Sequence, residues 1–81
     1  MILDADMVHG LPQESCGSEL HLDFRDAVGI TASGLGQLVT WHVQSKNQGH
    51  QLVLHDVGDL LYEVFDVTKL TRVLDVRLRA R

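Results

Sequence analysis

The sequence predicts an α/β fold in which helices pack on one small sheet. Apolar and polar residues alternate over Leu20-His21-Leu22-Asp23-Phe24, the period-two mark of a half-buried strand. From Leu35 the apolar spacing changes. Leu35, Leu38, Val39, His42 and Val43 follow the i, i+3, i+4, i+7, i+8 pattern of an amphipathic helix. Short apolar runs and helical stripes then alternate towards the C-terminus. Strands joined through helices favour parallel pairing with right-handed crossovers. With 81 residues, the chain is expected to form a single domain, residues 1–81, with a thin stability margin.

The elements are predicted in the order helix, strand, helix, strand, helix, strand. A first helix is expected from Asp4 to about Gln13, capped by Asp4, with Met7, Val8 and Leu11 on one face and Pro12 near its end. Glu14 to Ser18 reads as a loop. Leu20, Leu22 and Phe24 form the inner face of the first strand. Arg25 to Gly29 turns the chain, and Val28 and Ile30 are expected to re-enter the core. The second helix ends at Asn47-Gln48-Gly49, where Gly49 can take the left-handed conformation. Leu52-Val53-Leu54 is of strand length. Leu60, Leu61, Val64 and Phe65 make the third helical stripe, Leu70 lies in a turn, and Val73 to Val76 is the last strand.

Composition narrows the function. Seven basic and eleven acidic side chains give a net charge of −4, which disfavours nucleic acid. Arg77, Arg79 and Arg81 crowd the C-terminus and read as a frayed, solubilising tail. Cys16 is the single cysteine, with no cationic neighbour in sequence, so it reads as a spectator thiol. No apolar run reaches the roughly 18–20 residues of a membrane span, and the acidic N-terminus does not resemble a signal peptide. A cytoplasmic location is expected.

Chemical motifs are incomplete. The five histidines, His9, His21, His42, His50 and His55, include no pair at i, i+4, and there is no CxxC, so no metal site is expected. Gly34-Leu35-Gly36 precedes a helix, but Val39 stands where the third glycine of a dinucleotide loop would be. Thr31-Ala32-Ser33-Gly34-Leu35 lacks both glycines of a nucleophile elbow. No cofactor and no enzymatic activity are expected. Ser33 remains, at the step into a helix. It reads as an N-cap, and the same place suits a phosphate because a first turn offers unpaired N–H groups and a positive dipole end.

These residues resemble a STAS domain, the fold of bacterial anti-sigma factor antagonists. That family joins a strand to a helix through a segment similar to D-S-S-G-L-G, matched here by Thr31-Ala32-Ser33-Gly34-Leu35-Gly36. Leu20 to Phe24 is similar to the strand before that loop. Gly49 to Leu54 resembles the following glycine-then-strand step, and Val64 to Val76 the last helix, turn and strand. The motif's aspartate is Thr31 here, and its first serine is Ala32.

The resemblance implies a non-enzymatic partner switch in bacterial transcription regulation. An anti-sigma factor serine kinase would bind the unphosphorylated domain and phosphorylate Ser33. A phosphatase would reset it. Residues 31–36 would form the switch loop, and Thr40, Gln44 and Lys46, exposed on the helix that follows, are candidate docking residues. Family members usually begin with two further strands, whereas this chain begins at the first helix. The missing strands imply an uncovered sheet edge and self-association through it. The alternative is a phosphorylation-independent STAS accessory subunit of a larger assembly, such as a lipid or anion transporter.

Overall fold

The structure is a computed structural model and describes residues 1–79. Six strands and two helices follow one another: β1 (Ile2–Leu3), β2 (Gln13–Cys16), β3 (Glu19–Asp23), β4 (Gly29–Ile30), α1 (Ala32–Asn47), β5 (Gln51–Val57), α2 (Asp59–Val67) and β6 (Asp75–Leu78). Short 3-10 turns span Val8–Gly10 and Leu70–Arg72. The main sheet has the order β2-β3-β5-β6. β3, β5 and β6 are parallel, as their helical crossovers require, and β2 runs antiparallel at the edge. β1 and β4 form a separate parallel pair.

Register explains which face is buried. Leu20 pairs with Leu52, Leu22 with Leu54, and Leu54 with Val76, so leucines and valine line one side of the sheet. Leu38 of α1 and Leu61 and Phe65 of α2 close over that side in one continuous core. Phe24 and Phe65 meet edge-on there, with ring centroids 6.0 Å apart. The opposite side carries Glu19, His21, Asp23, His55 and Asp75.

The predicted α/β class and the order β3-α1-β5-α2-β6 agree with the structure. The N-terminal third does not. Asp4 to Gln13 is not a helix. Met7 N–H bonds Asp4 O at 2.9 Å, one 3-10 turn follows, and Leu11 is extended. A ten-residue segment with Gly10 and Pro12 cannot recover the cost of helix nucleation. It is pinned by Val8 and Leu11, both buried in the core. Glu14 to Cys16 is part of a strand, joined to β3 through Gly17-Ser18, with Gly17 at φ +61°. The expectation that the chain begins at a helix is thereby corrected: β1 and β2 precede β3, and β2 is the edge strand of the main sheet.

Smaller differences have local causes. Val28 is 65% exposed rather than in the core. The last strand is displaced to Asp75–Leu78, because Leu74 drops into the core while Val73 stays outside. Arg77 lies on that strand and pairs with Asp75 at 3.1 Å. Arg79 donates to the carbonyls of Arg25 and Asp56, so neither arginine belongs to a frayed tail. Arg81 lies outside the described residues. At the end of α1, Gly49 has φ +79° as expected. His50 N–H bonds Ser45 O and Gly49 N–H bonds Lys46 O, the paired bonds that close a helix C-terminus.

Candidate functional site at the start of α1

The first turn of α1 is built from two distant parts of the chain. β1 runs beside β4, and its last carbonyl, Leu3 O, accepts the Thr31 N–H at 2.9 Å. Thr31 is the N-cap. Its Oγ1 accepts the Gly34 N–H at 3.0 Å, and its C=O accepts the Leu35 N–H at 2.8 Å. The Thr31 hydroxyl lies 2.8 Å from Asp4 Oδ1 and 3.3 Å from Leu3 O, so its one proton is donated to this pair of acceptors. The Thr31 hydroxyl, then the Ala5 N–H, hold the Asp4 carboxyl below its usual value of 3.8.

The cap assignment is a correction. Ser33 was expected to cap the helix, but it is the second helical residue. The helix starts at Ala32, three residues before the first apolar member of the stripe, because Thr31 supplies the side-chain acceptor. Ser33 is exposed, and its hydroxyl has no hydrogen-bond partner among the described residues. The N–H groups of Ala32 and Ser33 have no acceptor within the helix.

The two glycines of the segment differ. A Cβ at Gly34 would collide with Leu3 O and come within 3.0 Å of Ile30 Cγ1. Gly34 is therefore what allows β1 to press against the helix. Gly36 has open space around it. Ala32 and Gly36 are exposed, and Leu35 is half-buried against the core.

Thr40, Gln44 and Lys46 are all exposed on α1. At 3.6 residues per turn, Thr40 and Gln44 lie within about 20° of Ser33 around the helix axis, while Lys46 is turned about 140° away. The helix thus groups Thr40 and Gln44 with Ser33 and separates Lys46 from them. The Thr40 hydroxyl is used internally, donating to Gly36 O at 3.0 Å. Val43, expected in the core, is 51% exposed, and Ser45 is buried in its stead. Gln37 also lies on the Ser33 side and contacts His9 Nε2 at 3.0 Å. His9 in turn packs on Trp41 at 4.2 Å between ring centroids.

Asp4, Leu3 and Gln37 are the residues that sequence reasoning missed here. Nothing in a linear pattern pairs residue 4 with residue 31. The available signal was Thr31 itself, since threonine followed by a helical run is a cap signature.

The histidines form one further cluster, on the open side of the sheet. His21 Nδ1 and His55 Nε2 face each other at 2.5 Å, and His21 Nε2 lies 3.2 Å from Glu19 Oε1. Glu19 engages the far nitrogen, so the three donors do not converge on one point. Among the described residues no group of three or more His, Cys, Asp or Glu side chains is arranged to hold a metal ion. None of the described helices is long and apolar enough to cross a membrane.

No profile of a known protein family matches the chain. It is 27% identical over 70 residues to the anti-sigma-B factor antagonist of Bacillus subtilis (strain 168), a match covering 86% of this chain. The chain spans 64% of the length of that relative. In three dimensions it is similar to a crystal structure from Thermotoga maritima described as a candidate anti-sigma factor antagonist. The TM-score is 0.70 at 14% identity, over 86% of this chain and 87% of the other. The chain therefore has a STAS-like α/β fold and resembles an anti-sigma factor antagonist in sequence.

Proposed function

We propose that the chain is a non-enzymatic, cytoplasmic STAS-like domain of the anti-sigma factor antagonist kind, with its partner surface at the start of α1. Ser33 is the phosphoacceptor of this reading. An anti-sigma factor serine kinase is the partner, and a phosphatase resets the residue. The observation that carries the reading is the state of the Ser33 hydroxyl: exposed, unbonded, and held on the first turn of a long helix. Thr31 does the capping, so modification of Ser33 leaves the helix intact.

The physics of the switch is electrostatic. A phosphate on Ser33 adds nearly two negative charges. In the free domain they would stand in water near the helix N-terminus, which stabilises them modestly. In a complex they would be buried against a surface shaped for a neutral hydroxyl, at a large desolvation cost. Thr40 and Gln44 would extend the docking face along α1. Asp4 supplies a carboxylate beside Thr31, the position at which the resembling family carries an aspartate.

The test is intact mass after incubation with ATP and the candidate kinase, followed by peptide mapping. One phosphate on Ser33 is expected. Ser33→Ala should bind the kinase as the wild type does, and Ser33→Asp about tenfold or more weaker. Equal binding by both variants would remove Ser33 from the switch. Absence of phosphate with binding intact would instead favour a phosphorylation-independent accessory subunit.

A further inference from the structure

The side of the sheet turned away from both helices holds a histidine pair that spacing in the sequence does not reveal. His21 on β3 and His55 on β5 are 34 residues apart in the chain. Register sets Asp23 beside His55, and Asp23 is two residues from His21, so both histidines belong to one face of the sheet. His21 Nδ1 faces His55 Nε2 at 2.5 Å, while the ring centroids are 4.8 Å apart. That difference is close to two ring radii, so the nitrogens meet on the line between the centroids. Each nitrogen's in-plane lone-pair direction therefore points at the other ring. The second nitrogen of His21 lies 3.2 Å from Glu19 Oε1. A carboxylate only accepts, so it keeps the His21 proton on Nε2 and leaves Nδ1 as a bare lone pair aimed at His55.

The surroundings suit a cation. The pair borders a hollow of about 470 Å³ that Glu14, Asp23 and Asp56 also line, and no lysine or arginine does. Asp23 is bonded by Arg25, which leaves Glu14 and Asp56 to keep the hollow acidic. The backbone is irregular at the same place. Leu54 to Val57 on β5 is set against Val76 to Leu78 on β6, one residue more on β5, and Asp56 has φ +55°. Bulges of this kind re-aim side chains next to sites.

We propose that His21 and His55 form a two-histidine site for a divalent transition metal of the imidazole-preferring class, Zn²⁺, Ni²⁺ or Cu²⁺, with water completing the ion's shell. A tetrahedral ion about 2.0–2.1 Å from each nitrogen holds the two nitrogens about 3.3 Å apart, so the rings need to part by under about 1 Å. The His21 side chain is 25% exposed, and the hollow gives it room to swing. As the ion enters, the proton of His55 passes through solvent from Nε2 to Nδ1. Both facing nitrogens then become ligands without a change in the charge of the pair. Glu19 holds His21 in the ligating tautomer, as outer carboxylates do at metal sites. Mg²⁺ and Ca²⁺ take oxygen ligands and are not held by an imidazole pair. The site lies across the sheet from α1 and does not depend on the reading given for Ser33.

The experiment is calorimetric titration of the whole chain, free of any purification tag, with Ni²⁺, Zn²⁺ and Mg²⁺. One equivalent of Ni²⁺ or Zn²⁺ should bind, and Mg²⁺ should not. His21→Gln or His55→Gln should weaken binding about a hundredfold, and Glu19→Ala about tenfold. Cys16→Ser and His50→Gln should bind as the wild type does. Zn²⁺ should raise the melting midpoint of the wild type and leave that of the two glutamine variants unmoved. The Cu²⁺ electron paramagnetic resonance spectrum of the wild type should show two coordinated imidazole nitrogens. That spectrum decides the matter even where a histidine variant does not fold. Fewer than two nitrogens, no binding, equal binding of Mg²⁺, wild-type affinity in His21→Gln or His55→Gln, or loss of binding in Cys16→Ser or His50→Gln overturns the proposal.

Discussion

The two helices lie on the same side of the sheet, yet they are held in different ways. α1 is fixed at its start by polar and backbone contacts: the Thr31 cap, the Leu3 carbonyl, and a glycine that lets the strand approach. α2 begins at Gly58 with no side-chain cap and is fixed in its middle by Leu61 and Phe65. Both helices bury a core face, through Leu38 in α1 and Leu61 and Phe65 in α2, but α1 is positioned by its start as well. The first arrangement leaves a capped first turn with Ala32 and Ser33 exposed. The second leaves Leu60 and Val67 of α2 exposed. Position and adhesion are thus separable, and each helix exposes what its own anchoring does not consume.

The difference can be broken most forcefully at Phe65. Phe65→Ala should cost about 3–5 kcal/mol, against a total stability of roughly 4–12 kcal/mol for a chain of this size. Urea denaturation should show a protein close to unfolding in buffer. A loss under about 1 kcal/mol would mean that α2 is not held by its core face.

Gly34→Ala comes next. The new methyl meets the Leu3 carbonyl, so a loss of about 1–3 kcal/mol is expected, with faster hydrogen exchange at the Thr31 and Val28 amides. Gly36→Ala, with open space around it, should instead stabilise by about 0.5–1 kcal/mol. If the two substitutions behave alike, β1 does not brace the helix.

Thr31→Ala should cost about 0.5–2 kcal/mol. Ser33→Ala should stay within about 0.5 kcal/mol, because its hydroxyl is unbonded. Thermal melts of the two variants, side by side, separate cap from non-cap.

The smallest effect lies in acid. The Asp4 carboxyl is held below its usual 3.8 in the folded chain, so its contribution is present above that value and is lost as pH falls through the lower folded value. Urea midpoints of wild type and Asp4→Asn should therefore converge as the pH is lowered below about 4. A gap that persists unchanged at low pH would show that Asp4 acts without its charge.

What the sequence made legible follows from the same contrast. β3 announced itself because Leu20, Leu22 and Phe24 alternate with polar residues. β2 did not, since Gln13-Glu14-Ser15-Cys16 is exposed on both sides and carries no apolar period. Its signal was the Gly17-Ser18 pair, a two-residue hairpin turn. Met7, Val8 and Leu11 are placed on one helix face by their spacing, but the segment is a 3-10 turn that buries Val8 and Leu11 and leaves Met7 exposed. In α2, Leu60 and Leu61 are adjacent, so composition could not tell which one faces the core. At the candidate site, the segment from Thr31 to Gly36 was found by its motif. The role of Asp4 was hidden, because a contact between residues 4 and 31 is decided by β1 and β4 pairing and not by any local pattern.

The mounting of Ser33 on a helix rather than on a loop has a consequence for speed. A loop that must rearrange before a partner can read it adds microseconds to milliseconds to every event. A side chain carried on a braced first turn adds none. On the reading proposed above, a phosphate at this hydroxyl would be presented to the surroundings as soon as the bond is made.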